Sequence, residues 1–185
     1  MSRSKAYLDP SVEAELRARI RVVPDWPQQG VSFQDLTGLM ADAVAFGLVI
    51  DAMNNALGPS PIDDVAGIEA RGFPYGAALA RARHAGFVTL RKPGKLPGEI
   101  HSVDYALEYG STTLQVHAHA LGRGRRVVLV DDVLATGGTA AAGVDLIRRT
   151  GADVVAVLLV MEIPGLGGRA TLEALGVNVH AVLTA

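Results

Sequence analysis

The chain has 185 residues, enough to bury one hydrophobic core and too few for two comfortable domains. Apolar residues make up 49 %, so a folded globular protein is expected, and 17 basic against 19 acidic residues leave a formal charge of −2, which gives the whole chain no strong attractive field for nucleic acid. Cysteine is absent, which excludes disulfides, thiolate metal sites and cysteine nucleophiles and fits a cytoplasmic location. The opening MSRSKAYLDP lacks the apolar core of a signal peptide, and apolar runs such as Val154 to Met161 are too short to cross a bilayer, so no membrane association is expected.

In chain order, Val12, Leu16, Ile20 and Val23 fall near helical spacing and predict a short amphipathic helix over 11–22. Pro24, Pro27 and Gly30 then mark a turn-rich loop, and a second helix is expected from about Ala41 to Leu57, closed by Gly58-Pro59. From there the pattern alternates: strand Val65–Glu69, helix Gly72–His84, strand Phe87–Leu90, a polar stretch over 92–112, strand Thr113–His117, strand Val127–Val130, helix Gly138–Thr150, strand Val154–Val160, a helical piece Thr171–Leu175 and strand Val177–Leu183. Continuous apolar strands alternating with helices predict an α/β fold with a mostly parallel sheet covered on both faces. The polar stretch 92–112 is long for a connection and carries Pro, Gly and charge. It is expected to be a lid loop, with residues near 95–107 open or poorly ordered without ligand.

The most informative stretch is VVLVDDVLATGGTA, Val127 to Ala140. A buried strand runs into two adjacent carboxylates, Asp131 and Asp132, at the end of a sheet where α/β proteins bind ligands. The loop Ala135, Thr136, Gly137, Gly138, Thr139 follows and opens a helix. Its glycines let backbone amides approach an anion, the helix N-terminus favours negative charge, and the threonine hydroxyls add donors. The Gly-Lys-Ser/Thr ending of a Walker loop is missing. Two carboxylates repel a second phosphate and instead suit the vicinal hydroxyls of a sugar. A sugar clamp beside a phosphate clamp describes a 5-phosphoribosyl group.

Elsewhere, GIEARGF ends a strand with Arg71, a guanidinium suited to bidentate phosphate contact. RKPGKLPGE gathers Arg91, Lys92 and Lys95 within five residues. GLGGRA, residues 165–170, echoes a dinucleotide-binding glycine pattern, but the acidic residue expected on a following strand is missing and the segment reads as a turn. His117 and His119 share one strand face without a third ligand nearby, which favours a structural role over a metal site.

VVLVDDVLATGGT resembles the phosphoribosyl pyrophosphate (PRPP) signature of type I phosphoribosyltransferases. GIEARGFPYGAALA (67–80), RKPGKLPGE (91–99), YALEYG (105–110) and QGVSFQDLT (29–37) narrow the resemblance to adenine phosphoribosyltransferases, over nearly the whole chain. The resemblance implies a single domain over 1–185, with residues 1–38 contributing a base-binding hood and 92–112 a mobile lid. It implies transfer of the phosphoribosyl group of PRPP to adenine, with Mg2+ carried mainly by PRPP, in a homodimer whose basic lid residues reach the neighbouring site.

Residue by residue, the resemblance assigns Asp131, Asp132 and Ala135 to Thr139 to the ribose and 5′-phosphate. Glu69, Ala70, Arg71, Arg91, Lys92 and Lys95 fall to pyrophosphate, with a strained or cis peptide expected at Glu69–Ala70. Ser32, Phe33, Gln34 and Ile163 fall to adenine, and Glu108, with Arg71 and Lys95, to catalysis. Tyr105 and Tyr109 flank Glu108 and are expected to pack the closed lid. Many relatives carry arginine where this chain has Gln34: recognition through the backbone amide tolerates the exchange, whereas a side-chain role toward the phosphate does not. Two alternatives remain at this level, a phosphoribosyltransferase for another purine and a PRPP-sensing regulatory protein without catalysis.

Overall fold

The apolar runs become five parallel strands. In the computed structural model, which describes residues 8–106 and 111–185, β3 (Asp64–Ile68), β4 (Gly86–Leu90), β7 (Arg126–Leu134), β8 (Asp153–Glu162) and β9 (Asn178–Thr184) form one sheet in the order β4-β3-β7-β8-β9. Each neighbouring pair is parallel. Every residue of β3 is buried, and successive residues of β7 serve opposite faces. Val127 and Leu129 join the core with Val144 and Ile147, whereas Val128 and Val130 join Met53, Tyr75 and Leu79. A strand buried on both sides needs apolar residues at every position, which is why these runs do not alternate.

Helices α3 (Ala43–Leu57) and α4 (Gly72–Arg83) cover one face, together with Leu16 of α1 (Pro10–Arg17). Helix α5 (Gly138–Arg149) and Leu172 of α6 (Gly168–Glu173) cover the other. Among the described residues no helix is long and apolar enough to cross a membrane.

Four expectations from the sequence are corrected. The first helix stops at Arg17, because Arg21–Pro24 forms β1, paired antiparallel with β2 (Ser32–Asp35). Val23 therefore belongs to a strand and not to a helical stripe. The second helix is two: α2 (Thr37–Ala41) ends where the Asp42 carboxylate accepts the Val44 and Ala45 amides at 3.0 Å each and caps α3. The strand containing Val127–Val130 continues through both aspartates to Leu134, because β8 goes on pairing with it as far as Glu162. Finally, the stretch 92–112 is not wholly loop. Ile100–Ala106 forms β5, paired antiparallel with β6 (Ser111–His117), and Val103, Leu114 and Val116 of this hairpin are buried. Exposed Ser102 and Asp104 flank Val103 and dilute the apolar signal that marks a strand.

Candidate active site

Strands β3 and β7 are neighbours, but their connections leave in opposite directions, β3 through α4 to β4 and β7 through α5 to β8. A sheet opens a crevice at the carboxyl ends of two such strands. A cavity of about 510 Å3 lies there, lined by Ile68 at the end of β3 and Glu69 to Arg71 after it, by Asp131 to Ala140 from β7 into α5, and by Lys92, Tyr105 and Thr112.

The loop Ala135 to Thr139 is shaped by its glycines. Gly137 caps α5 with φ +86°, a conformation that disfavours residues with a Cβ. No side chain caps this helix, so its first N–H groups remain open to a ligand in the cavity they border.

The paired carboxylates differ in their surroundings. Asp132 is buried, and Arg71 Nε donates to it from the other side of the crevice. Asp131 accepts the Asp132 amide at 2.9 Å. Burial, and then the negative charge of Asp132, hold the Asp131 carboxyl well above the ordinary carboxylate range. The site therefore resists placing two negative charges side by side, and Arg71 supplies the nearby positive charge.

The Glu69–Ala70 peptide bond is cis. The Glu69 carboxylate accepts Arg91 Nε at 3.1 Å and the Lys92 amide at 2.8 Å, and these hydrogen bonds, the first being the larger influence, lower its affinity for a proton. Arg91 also lies 5.8 Å from the centre of the Phe73 ring. The start of the basic RKPGK segment is thus fastened to the loop after β3, with Lys92 lining the cavity and Arg91 behind it. Lys95 is exposed and does not line the cavity, although its charge is felt at Glu69.

Of the residues assigned to the base, Ser32, Phe33 and Gln34 lie on β2, where Phe33 packs edge-on against Trp26 at 4.5 Å. Ile163 donates its amide to the Leu134 carbonyl at 2.9 Å, next to the cavity wall. None of these four lines the cavity. The β1–β2 hairpin is still within electrostatic reach of the site, since Asp35, held charged mainly by hydrogen bonds from Thr37, also feels Arg71. Glu108 and Tyr109 lie outside the described residues. Thr112 was not legible as a site residue. It stands opposite Tyr105 in the β5–β6 register, and both line the cavity. The period-two placement of Val103 and Tyr105 on one strand is the signal that leads to it. The rings of His117 and His119 are 5.2 Å apart, and among the described residues no group of three or more His, Cys, Asp or Glu side chains is arranged to hold a metal.

Comparisons with known proteins agree with this geometry. Residues 49–169 match the family model for the phosphoribosyl transferase domain. Adenine phosphoribosyltransferase of Paracoccus denitrificans is 51 % identical over 167 residues, 90 % of this chain and 89 % of that protein. The enzyme of the same name from Nitrobacter winogradskyi is 48 % identical over 171 residues, covering 92 % and 96 %. Among solved structures, adenine phosphoribosyltransferase of Thermoanaerobacter pseudethanolicus superposes with a TM-score of 0.89 at 41 % identity, covering 93 % of this chain and 99 % of that one. That of Saccharomyces cerevisiae, complexed with an imino-altritol bisphosphate and adenine, gives 0.88 at 35 %, covering 95 % and 100 %. With a five-stranded parallel sheet, a glycine-bearing loop at its switch point and this likeness along nearly its whole length, the chain belongs to the adenine phosphoribosyltransferase family.

Proposed function

We propose that the chain transfers the phosphoribosyl group of PRPP to adenine, giving AMP and pyrophosphate in purine salvage. One observation carries this reading: an uncapped helix N-terminus, two adjacent carboxylates and an arginine-bearing loop converge on one cavity. The loop Ala135–Thr139 holds the 5′-phosphate, and Asp131 and Asp132 accept hydrogen bonds from the ribose hydroxyls. Arg71 and Lys92, with Arg91 and Lys95 nearby, receive pyrophosphate.

The reaction breaks the bond between the anomeric carbon and pyrophosphate and forms the bond to N9 of adenine. Positive charge develops on the ribose as pyrophosphate leaves, and the carboxylates place negative potential beside it. Magnesium travels with PRPP as part of the substrate. Pyrophosphate and ribose oxygens would hold that hard cation, with the oxygen donors of Asp131 and Asp132 beside it, and it would neutralise charge on the leaving group. Closure of the lid around residues 92–112 excludes water and so protects PRPP from hydrolysis. Adenine is received by the hood, through Phe33 and the backbone of Ser32 and Gln34, and by Ile163. The working form is a cytoplasmic homodimer, in keeping with the cysteine-free composition and the family resemblance.

A product assay with PRPP, Mg2+ and a panel of purines tests the reading. AMP should form from adenine, and kcat/KM for hypoxanthine should be at least about 100-fold lower, because a site that pairs with an exocyclic amine leaves its acceptor unpaired against an oxo-purine. Chelation of Mg2+ should stop turnover. Comparable use of hypoxanthine would point to a different base.

By the family resemblance Glu108 manages the proton at the imidazole edge of adenine. Glu108→Gln should fold normally and lose at least about tenfold in kcat, with a smaller change in either KM, since positioned proton transfer contributes about 10²–10⁴-fold. Steady-state kinetics with both substrates checks this, and a kcat within about twofold of wild type would remove Glu108 from catalysis.

A further inference from the structure

The GLGGRA segment contributes no group to the cavity, yet it lies directly behind the phosphate loop. Gly168 is buried there, and a methyl group on it would collide with the Ala135 carbonyl oxygen and stand 2.9 Å from two carbons of Leu134. From the other side, a Cβ on Gly137 would stand 2.8 Å from the Gly168 carbonyl oxygen. Two backbones therefore touch where only glycine permits it. Thr171, one turn into α6, places its hydroxyl 3.1 Å from the Thr136 carbonyl and 3.3 Å from the Gly167 carbonyl, and the shorter contact, to Thr136, ties α6 to the loop.

The segment is in turn fixed to the sheet. Arg169 Nε donates to both oxygens of Glu162 at 3.0 Å, and its Nη1 to the Val179 carbonyl at 2.9 Å. Glu162 ends β8 and sits in register with Leu134 of β7 and Thr184 of β9. Strand, ion pair, α6 and phosphate loop thus form one connected support.

This support bears on anion binding through the planarity of the peptide. In a trans peptide the C=O and the following N–H point in opposite directions. Drawing the Thr136 carbonyl toward Thr171 therefore sets the Gly137 N–H on the opposite side of that peptide, within the loop that lines the cavity. Donors aimed before the ligand arrives need no reorganisation when it binds.

We propose that Thr171 and Gly168, anchored by the Arg169–Glu162 pair, are positioning residues that preset the Ala135–Thr139 loop for the 5′-phosphate. The proposal rests on the reading of that loop as the phosphoribosyl site. It is tested by Thr171→Val, which keeps the shape and removes the donor, by Thr171→Ser, which keeps the donor, and by Gly168→Ala. Each is measured for both KM values and, independently of turnover, for calorimetric binding of ribose 5-phosphate. Thr171→Val should raise the PRPP KM and weaken ribose 5-phosphate by about three- to tenfold, the range of one hydrogen bond, with the adenine KM changed by less than about twofold. Thr171→Ser should restore both values to near wild type, and Gly168→Ala should lose more than Thr171→Val. Wild-type affinity for ribose 5-phosphate in Thr171→Val, or a serine variant as weak as the valine one, would overturn the proposal. Should the wild-type protein bind ribose 5-phosphate but make no AMP, the enzymatic reading fails while the support is still judged by the binding series. A wild type that binds no ribose 5-phosphate overturns both.

Discussion

Arg71→Met should lower kcat/KM for PRPP by about 10²–10³-fold, the usual cost of removing one preorganised donor from developing charge. Arg71 borders the cavity and is half exposed toward it, while its Nε is paired with buried Asp132. On the proposed reading it serves two partners, Asp132 and the pyrophosphate of bound PRPP. Loss of the guanidinium removes a contact to the leaving group and also leaves Asp132 beside Asp131 without its cation. A buried charge deprived of its partner typically costs about 3–5 kcal/mol. Arg71 is 51 % exposed, so water screens the pair and a loss of about 1–2 kcal/mol in stability is the fairer expectation. Arg71→Lys should fall between, keeping charge without the planar fork. Initial rates at varied PRPP and thermal unfolding of the free variants check both parts. If Arg71→Met kept kcat/KM within about threefold of wild type, the loop after β3 would not be the pyrophosphate site.

The part of this site that is continuous in sequence was readable from sequence. Val127 to Ala140 carries the strand, the acids and the glycine loop that line the cavity in order, so local pattern alone locates them. Arg71 and Asp132 are 61 residues apart, and only the adjacency of β3 and β7 brings them together. The β1–β2 hairpin is not legible because Val22 and Val23 sit in a four-residue strand, too short to show a period of two against a helical stripe that starts at Val12. The strand Ile100–Ala106 was hidden in a different way. Its polar residues face outward in a stretch that also holds the prolines and glycines of a loop, so composition outweighed alternation. The role of GLGGRA is invisible in sequence for a third reason. A glycine required by the approach of another backbone looks the same as one required by a turn, and only the neighbouring Ala135 carbonyl tells them apart.

Asp131→Asn should stabilise the free protein at neutral pH while impairing its use of PRPP. The carboxyl of Asp131 is held well above its ordinary pKa, first by burial and then by Asp132. For a carboxyl raised by folding, the protonated form is the one the fold favours. Its stabilising contribution is complete below the unfolded pKa, about 3.9, and is lost as pH rises through the raised folded value. Above the unfolded pKa the wild type loses that contribution progressively, whereas asparagine, which does not titrate, loses none. The Tm of Asp131→Asn should therefore exceed that of wild type at pH 7 to 8, with the difference shrinking toward zero near about pH 4. The amide oxygen can still accept the Asp132 N–H that Asp131 accepts now, so the loop geometry should survive. In function the sign reverses. A hydrogen bond to a charged acceptor contributes about 1.5–3 kcal/mol, equal to roughly 10–150-fold in affinity, and the negative potential facing the ribose cation is lost as well. Together these should lower kcat/KM for PRPP by about 10²–10³-fold while the adenine KM changes little. Melting curves across pH and kinetics with each substrate varied test the two halves separately. A variant less stable than wild type at pH 7 would contradict the strained carboxylate, and an unchanged PRPP KM together with an unchanged kcat would take Asp131 out of the ribose site.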